Sequence, residues 1–121
     1  MIYVGIDIID ADRFEHFIGD ETKMSGLFTA KEIAYFKKFA SPAIHMAGTF
    51  SAKEAVVKAF KTGFTPGIMP LDIEIIRENG VPKAVLKNGA KKFFEDGSFK
   101  SMDINISHTK SIAEAICVLE K

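Results

Sequence analysis

The sequence predicts an α+β fold, in which a largely antiparallel sheet packs with one long helix and several short ones. Three features point to it. The chain opens on a β-branched run, Ile2-Tyr-Val-Gly-Ile-Asp-Ile-Ile9. Its middle carries helix-capping signals and helical apolar spacing instead. From residue 72 onward it alternates apolar and polar positions between short polar turns, the pattern of paired strands. Strands arriving as consecutive hairpins pair antiparallel, and helices gathered elsewhere give α+β rather than alternating order.

Residues 2–9 form the first strand, which runs into acidic residues. Asp10 is placed to cap a helix over residues 11–18, stopped by Gly19. Thr29-Ala-Lys-Glu32 has the form of a capping box and opens a helix carrying Ile33, Phe36 and Phe39. Ser41-Pro42 supplies an N-cap and a first helical residue. A long helix then runs to about Lys61, through Gly48. Ser51-Ala-Lys-Glu54 is a second capping-box match and offers a later start, but residues 45–50 hold no turn chemistry beyond one Gly. On this helix Phe50, Val56, Val57 and Phe60 face a core, while Lys53, Glu54, Lys58 and Lys61 face water. After a loop over residues 62–70, residues 72–77 form a strand, Glu78-Asn79-Gly80 a tight turn and residues 83–86 the returning partner. Residues 88–94 form a short helix. Residues 102–107 form a strand that turns through residues 108–111 into the last strand, 112–119.

A chain of 121 residues supports one core, hence a single domain over 1–121. Eleven Phe and no Trp indicate a Phe-rich core that needs few buried polar partners. Sixteen basic and sixteen acidic side chains cancel, which excludes nucleic-acid binding through overall basicity. Cys117 is alone, cannot form an internal disulfide and lies in an apolar run, as a small buried hydrophobe would. No apolar run reaches the ~18 residues of a membrane span, and the first residues lack the pattern of a signal peptide. The expected setting is cytoplasmic, with no membrane partner.

Glu54 and Lys58 stand four apart and share a helix face, with Lys61 close to it. Alone they make a solvated ion pair worth a few tenths of a kcal/mol. Asp7 adds a carboxylate inside an apolar strand, where an unpaired charge is costly. It serves there as a cap, as a partner for a cation, or as half of a metal site. A strand carboxylate and a helix carboxylate can meet over Mg²⁺, which takes one or two carboxylates and fills its other positions with water and phosphate oxygens. The spacing permits this arrangement without requiring it.

Gly5-Ile6-Asp7-Ile8, Phe50-Ser-Ala-Lys-Glu-Ala-Val-Val-Lys58-Ala and Ile106-Ser-His-Thr109 occur in this order, with Asp72-Ile-Glu-Ile and Asn79-Gly-Val-Pro82 before the last. The set resembles the small, single-repeat 4′-phosphopantetheinyl transferases, the holo-[acyl-carrier-protein] synthases, over nearly the whole chain. The resemblance implies transfer of 4′-phosphopantetheine from coenzyme A to a serine of apo acyl carrier protein, leaving 3′,5′-ADP, in fatty-acid biosynthesis. It implies that Asp7 and Glu54 hold Mg²⁺ and that Lys58 lies by the coenzyme A phosphates, all three being catalytic. The proton acceptor for the serine is Asp7 or a water beside it at the metal. It places Thr62, Gly63 and Pro82 near the cofactor, and His108 and Thr109 against its phosphates from across a subunit boundary, although His108-Thr109 equally suits a plain hairpin turn. It implies a homotrimer with active sites between subunits. Arg13, Phe14, Phe17 and Lys23 would dock the carrier, although the aromatics suit a core as well.

In the first helix Glu15, Asp20 and Glu21 dilute the basic patch that members of the family use to dock the carrier, and two positions near the cofactor also depart from the pattern. Thr49 stands where many members of the family carry Arg, so a cation near the nucleotide is missing, and Lys61 replaces the first Gly of a Gly-Thr-Gly. Three other readings compete: the same transfer to a polyketide or peptide-synthesis carrier, a catalytically silent coenzyme A-binding module, and a structural α+β domain in which the matches are accidental. His16 and His45 match no functional position.

Overall fold

The computed structural model describes residues Met1–Lys121. Strand β1 (Ile2–Asp10) alternates its side chains between two faces, as a period of two requires. Tyr3, Gly5, Asp7 and Ile9 are the more buried set, and Ile2, Val4, Ile6 and Ile8 are exposed. β5 (Ile112–Glu120) pairs antiparallel with β1, placing Gly5 opposite Cys117 and Asp7 opposite Ala115. β4 (Ser101–His108) pairs along the other side of β5, so β1 is an edge strand. β2 (Ile73–Glu78) and β3 (Val81–Leu86) form a second antiparallel sheet. Their turn uses positive φ at both Asn79 and Gly80, the geometry that an Asn-Gly pair tolerates. Every pairing is antiparallel as expected, but the strands divide into two sheets rather than one.

The helices are α1 (Glu21–Ser25), α2 (Ala30–Phe36), α3 (Ala43–Phe60) and α4 (Asn88–Asp96). The Thr29 capping box closes as predicted: Thr29 N–H donates to Glu32 Oε1 at 2.8 Å, and Glu32 N–H to Thr29 Oγ1 at 3.3 Å. Phe39 lies beyond the end of α2 and stacks on His45 instead, 3.6 Å between ring centroids. Residues 11–18 are not an α-helix: Ala11–Phe17 is 3₁₀, and Asp10 makes no side-chain cap. The five-residue α1 was not anticipated; Asp20 caps it by accepting from Lys23 N–H at 3.0 Å. At the start of α3 the capping position falls on Pro42, one residue past Ser41, without a side-chain hydrogen bond.

α3 runs unbroken through Gly48, whose absent Cβ leaves room for Ile106 Cγ2 at 3.1 Å from where it would stand. Ser51 does not cap a second helix; its hydroxyl donates to the Asp7 carbonyl at 3.1 Å and ties α3 to β1. The helix is buried on most of its circumference. Val56 and Val57 are fully buried, each worth roughly 1.5–3 kcal/mol relative to exposure. One core gathers Val56, Val57 and Phe60 with Ile73, Ile104 and Leu119. A second gathers Phe14, Phe28, Phe36 and Met46.

Lys53 overturns its expected place. It does not face water but is fully buried, and its ammonium donates to Glu32 Oε1 at 2.8 Å, Pro70 O at 2.9 Å and Leu27 O at 3.0 Å. All three donors of the ammonium are used. Glu32 is buried too, and its Oε2 accepts Ile75 N–H at 2.7 Å. Burial pulls the Lys53 ammonium below its ordinary pKa, and the Glu32 charge opposes that pull. Cys117 is the buried thiol expected of it, pushed up to about 12 by loss of solvent.

Gly5 sets the distance between β1 and α3. A Cβ there would lie 1.9 Å from Ala55 O and 2.5 Å from Ala59 N, both helix backbone. Gly5→Ala is expected to cost about 1–3 kcal/mol by forcing strand and helix apart. Denaturant unfolding measures it, and an unchanged midpoint would contradict the close approach.

Candidate active site

Because β1 can lie so close to α3, Asp7, two residues after Gly5 on the same face, reaches the helix. Lys58 Nζ donates to Asp7 Oδ1 at 2.9 Å and to Ile6 O at 3.2 Å. The Asp7 side chain is 13% exposed, and its Oδ2 is buried with no hydrogen-bond partner. The expected surface pair of Lys58 with Glu54 does not form; Lys58 crosses to β1 instead. Glu54 is half-buried, and its carboxyl is raised above the usual range, first by burial and then by the negative charge of Asp7. Lys58 and Arg13 pull it the other way. Two acids therefore converge from distant parts of the chain, one with an orphaned oxygen, and the nearby cations do not fully offset them.

That imbalance is what a divalent cation corrects. No group of three or more His, Cys, Asp or Glu side chains clusters in the fold. Asp7 and Glu54 thus suit an ion whose remaining positions are taken by water and substrate oxygens, as Mg²⁺ prefers.

At the end of α3, Lys61 takes a left-handed conformation (φ 67°) as C-cap, and its ammonium donates to Val4 O at 3.3 Å. Gly suits such a position, which gives a physical reason for the Gly it replaces. Lys58 and Lys61 thus both reach carbonyls of β1. Thr62 and Gly63 follow, each N–H donating to Val57 O at 3.2 Å.

Pro82 and His108 lie elsewhere. They share a cleft of about 410 Å³ with Tyr35, Lys38, His45 and Arg77. His45 belongs to the first turns of α3, nine residues before Glu54, or ~13 Å along the helix axis. One chain therefore holds the expected site residues in two separate places. Thr109 Oγ1 accepts from Ser111 N–H at 3.3 Å and Ile112 N–H at 3.1 Å, so its hydroxyl builds the β4–β5 turn. His108 Nδ1 sits 2.8 Å from Thr109 O, which leaves Nε2 as the free ring nitrogen.

Of the expected docking residues, Arg13 and Lys23 are exposed and Phe17 is half-buried, with Lys23 Nζ 5.5 Å above its ring. Phe14 is corrected: at 2% exposure it is core, packed on Phe28 and Phe50, and cannot meet a partner. Sequence reasoning missed Arg77, whose Nη1 donates to the buried Thr49 hydroxyl at 2.8 Å. The positive charge absent from position 49 is present beside it, carried in from β2. Only the basic residue at the end of a strand hinted at this.

The profile of the 4′-phosphopantetheinyl transferase superfamily matches residues 3–117. The chain belongs to that superfamily. It is 38% identical to the holo-[acyl-carrier-protein] synthase of Caldicellulosiruptor saccharolyticus over 98% of its own length and 95% of that protein's. The crystal structure of the holo-[acyl-carrier-protein] synthase of Neisseria meningitidis superposes with a TM-score of 0.88 at 25% identity, covering 100% of both chains. The holo-(acyl-carrier-protein) synthase of Bacillus anthracis, solved in complex with CoA (3′,5′-ADP), gives a TM-score of 0.80 at 30% identity over 98% of this chain and 96% of that one. This transferase is thus an enzyme of the holo-[acyl-carrier-protein] synthase type, and its α+β architecture is that of the family's solved structures.

Proposed function

We propose that this transferase, acting as one domain over residues 1–121, moves 4′-phosphopantetheine from coenzyme A to a serine of apo acyl carrier protein, with Mg²⁺ held by Asp7 and Glu54, in cytoplasmic fatty-acid biosynthesis. The single observation that carries the reading is the convergence of Asp7 and Glu54, with Lys58 on one Asp7 oxygen and the other oxygen buried and unpartnered. A binding module gains nothing from two acids close enough to repel each other, a repulsion that Lys58 and Arg13 only partly offset.

In the reaction the serine oxygen forms a bond to the phosphorus that bears pantetheine. The bridging P–O bond breaks, 3′,5′-ADP leaves, and the serine proton passes to Asp7 or to a water beside it. Mg²⁺ at Asp7 and Glu54 would supply Lewis-acid neutralisation of the pyrophosphate. Lys58, steered by Asp7 Oδ1 and Ile6 O, brings a fixed ammonium to the phosphate oxygens and can donate a proton toward the departing group. Its placement before substrate arrives reduces the reorganisation needed at the transition state.

A homotrimer with sites between subunits accounts for the two separated groups, since the cleft with Pro82 and His108 can then face the carboxylates of a neighbouring copy. The outer face of β1 and β5 supports this: Ile6 is 60% and Ile8 66% exposed, beside exposed Ile2, Val4, Ile112 and Ile116. Such a contiguous apolar stripe marks an association surface. Arg13 and Lys23, with Phe17, offer two exposed cations and a partly apolar surface for docking the carrier, diluted by exposed Glu15, Asp20 and Glu21. No helix is long and apolar enough to cross a membrane.

The test is to incubate the protein with coenzyme A, Mg²⁺ and an apo carrier and to weigh the carrier. A gain of one phosphopantetheine is expected, and no gain at high enzyme concentration would sink the reading. Running a fatty-acid carrier against a polyketide or peptide-synthesis carrier ranks the acceptors.

A further inference from the structure

The cleft shared by Pro82 and His108 contains a cation with no counter-ion. Arg77 is half-buried and belongs to none of the chain's ion pairs. Its guanidinium centre lies 4.4 Å from the centroid of the Tyr35 ring, and its one side-chain hydrogen bond goes to Thr49 Oγ1. A guanidinium carries five N–H donors, so most of its hydrogen-bonding capacity is unspent. Lys38, His45 and His108 line the same cleft, and no carboxylate does. The His45 ring packs between Phe39, Tyr35 and His108, with centroids at 3.6, 6.0 and 5.7 Å. Burial holds His45 below its ordinary pKa, and the neighbouring His108 and Arg77 add to the effect. Partly desolvated positive charge gathered without an acid is unfavourable in the empty cleft and becomes favourable around an anion.

Thr49 and Tyr35 matter as much as the charge. They fix the plane and direction of the Arg77 fork before a ligand arrives, and a fixed fork suits the paired oxygens of a phosphate better than a flexible ammonium does. A phosphomonoester, with close to two negative charges and three acceptor oxygens, matches the density of positive groups better than a phosphodiester. We infer that Arg77 binds the 3′-phosphomonoester of the nucleotide end of coenzyme A, and that it sets the preference of this transferase for 3′-phosphorylated donors. The inference rests on the proposed transfer reaction and names the residue that selects its donor. Inorganic phosphate shares the chemistry and is the alternative occupant.

Titration calorimetry on the full chain with 3′,5′-ADP, 5′-AMP and inorganic phosphate separates the cases. The wild type is expected to bind 3′,5′-ADP most tightly. Arg77→Gln weakens 3′,5′-ADP about tenfold, the scale of one lost charge-assisted contact, and leaves 5′-AMP nearly unchanged. Arg77→Lys recovers part of the loss. In the transfer assay Arg77→Gln raises KM for coenzyme A with little change in kcat. In the wild type, 3′,5′-ADP moves the NMR titration of His45 upward. Equal weakening of both nucleotides, or an Arg77→Gln protein that binds 3′,5′-ADP as the wild type does, overturns the assignment while the transfer reaction stands. Inorganic phosphate binding as tightly as 3′,5′-ADP overturns the nucleotide assignment. A wild type that neither binds coenzyme A nor modifies a carrier overturns the proposed function and this inference with it.

Discussion

Glu54→Gln is expected to lower turnover on the order of 10²–10³-fold, the usual scale for losing one preorganised electrostatic group at a reacting centre. The same change should leave the metal-free protein as stable as the wild type, or more so. Burial and the Asp7 charge raise the Glu54 carboxyl above its unfolded value. A carboxyl raised on folding favours the protonated form in the native state. Its ionisation therefore opposes folding, most fully above the raised value, and that penalty disappears as pH falls below the unfolded value. Gln keeps the shape and removes the charge. Activity and stability then move in opposite directions, as they do where a site is kept for function. Asp7→Asn should lose comparable turnover while the fold survives. The mass-gain assay and a thermal melt on each variant check both halves. Near-normal turnover in either variant would refute the ligand role.

Lys53→Ala is expected to destabilise the protein by about 3–5 kcal/mol, the cost of breaking a buried ion pair from one side. Glu32 would remain buried at 1% exposure with its charge unpaired, and the carbonyls of Leu27 and Pro70 would each lose a donor. The pair joins α3 to the α2 cap and to the chain just before β2, so its loss loosens the segment that carries Glu54, the next residue. Lys53→Met combined with Glu32→Gln removes the stranded charge and keeps one acceptor oxygen, for either Thr29 N–H or Ile75 N–H. The double variant should recover part of what Lys53→Met alone loses. Urea unfolding gives each midpoint. A Lys53→Ala protein within 1 kcal/mol of wild type, roughly the size of a surface effect, would show that the pair contributes little.

Much of this architecture is legible in the residues, for identifiable reasons. The Thr29 capping box and the Asn79-Gly80 turn are local signals whose geometry is set by the residues themselves. The long α3 was readable because Gly48 stands alone, without turn chemistry around it. Lys53 was not readable. It sits beside Glu54 in a polar-looking stretch, and only the tertiary arrival of Glu32, Leu27 and Pro70 makes it a core residue. A helix buried on most sides has no amphipathic stripe from which facing can be inferred. The 3₁₀ geometry of Ala11–Phe17 and the short α1 lack the repeated spacing that separates helix types. Asp7, Glu54 and Lys58 could be named from their motifs, but Lys58 pairs across to β1 rather than along its own helix, because Gly5 lets the strand approach. The placement of Arg77 was invisible because it depends on Thr49 and Tyr35, which are remote in sequence.

Everything in the proposed chemistry depends on Asp7 and Glu54 sharing one divalent ion. Titrating Mn²⁺, as a paramagnetic stand-in for Mg²⁺, into the coenzyme A complex of the wild type, Asp7→Asn, Glu54→Gln and the double variant tests this directly. One shared ion predicts that each single variant loses most of the binding and that the double variant loses little more, since the two effects are not additive at a common site. Wild-type affinity in either single variant, or losses that simply add, would contradict it.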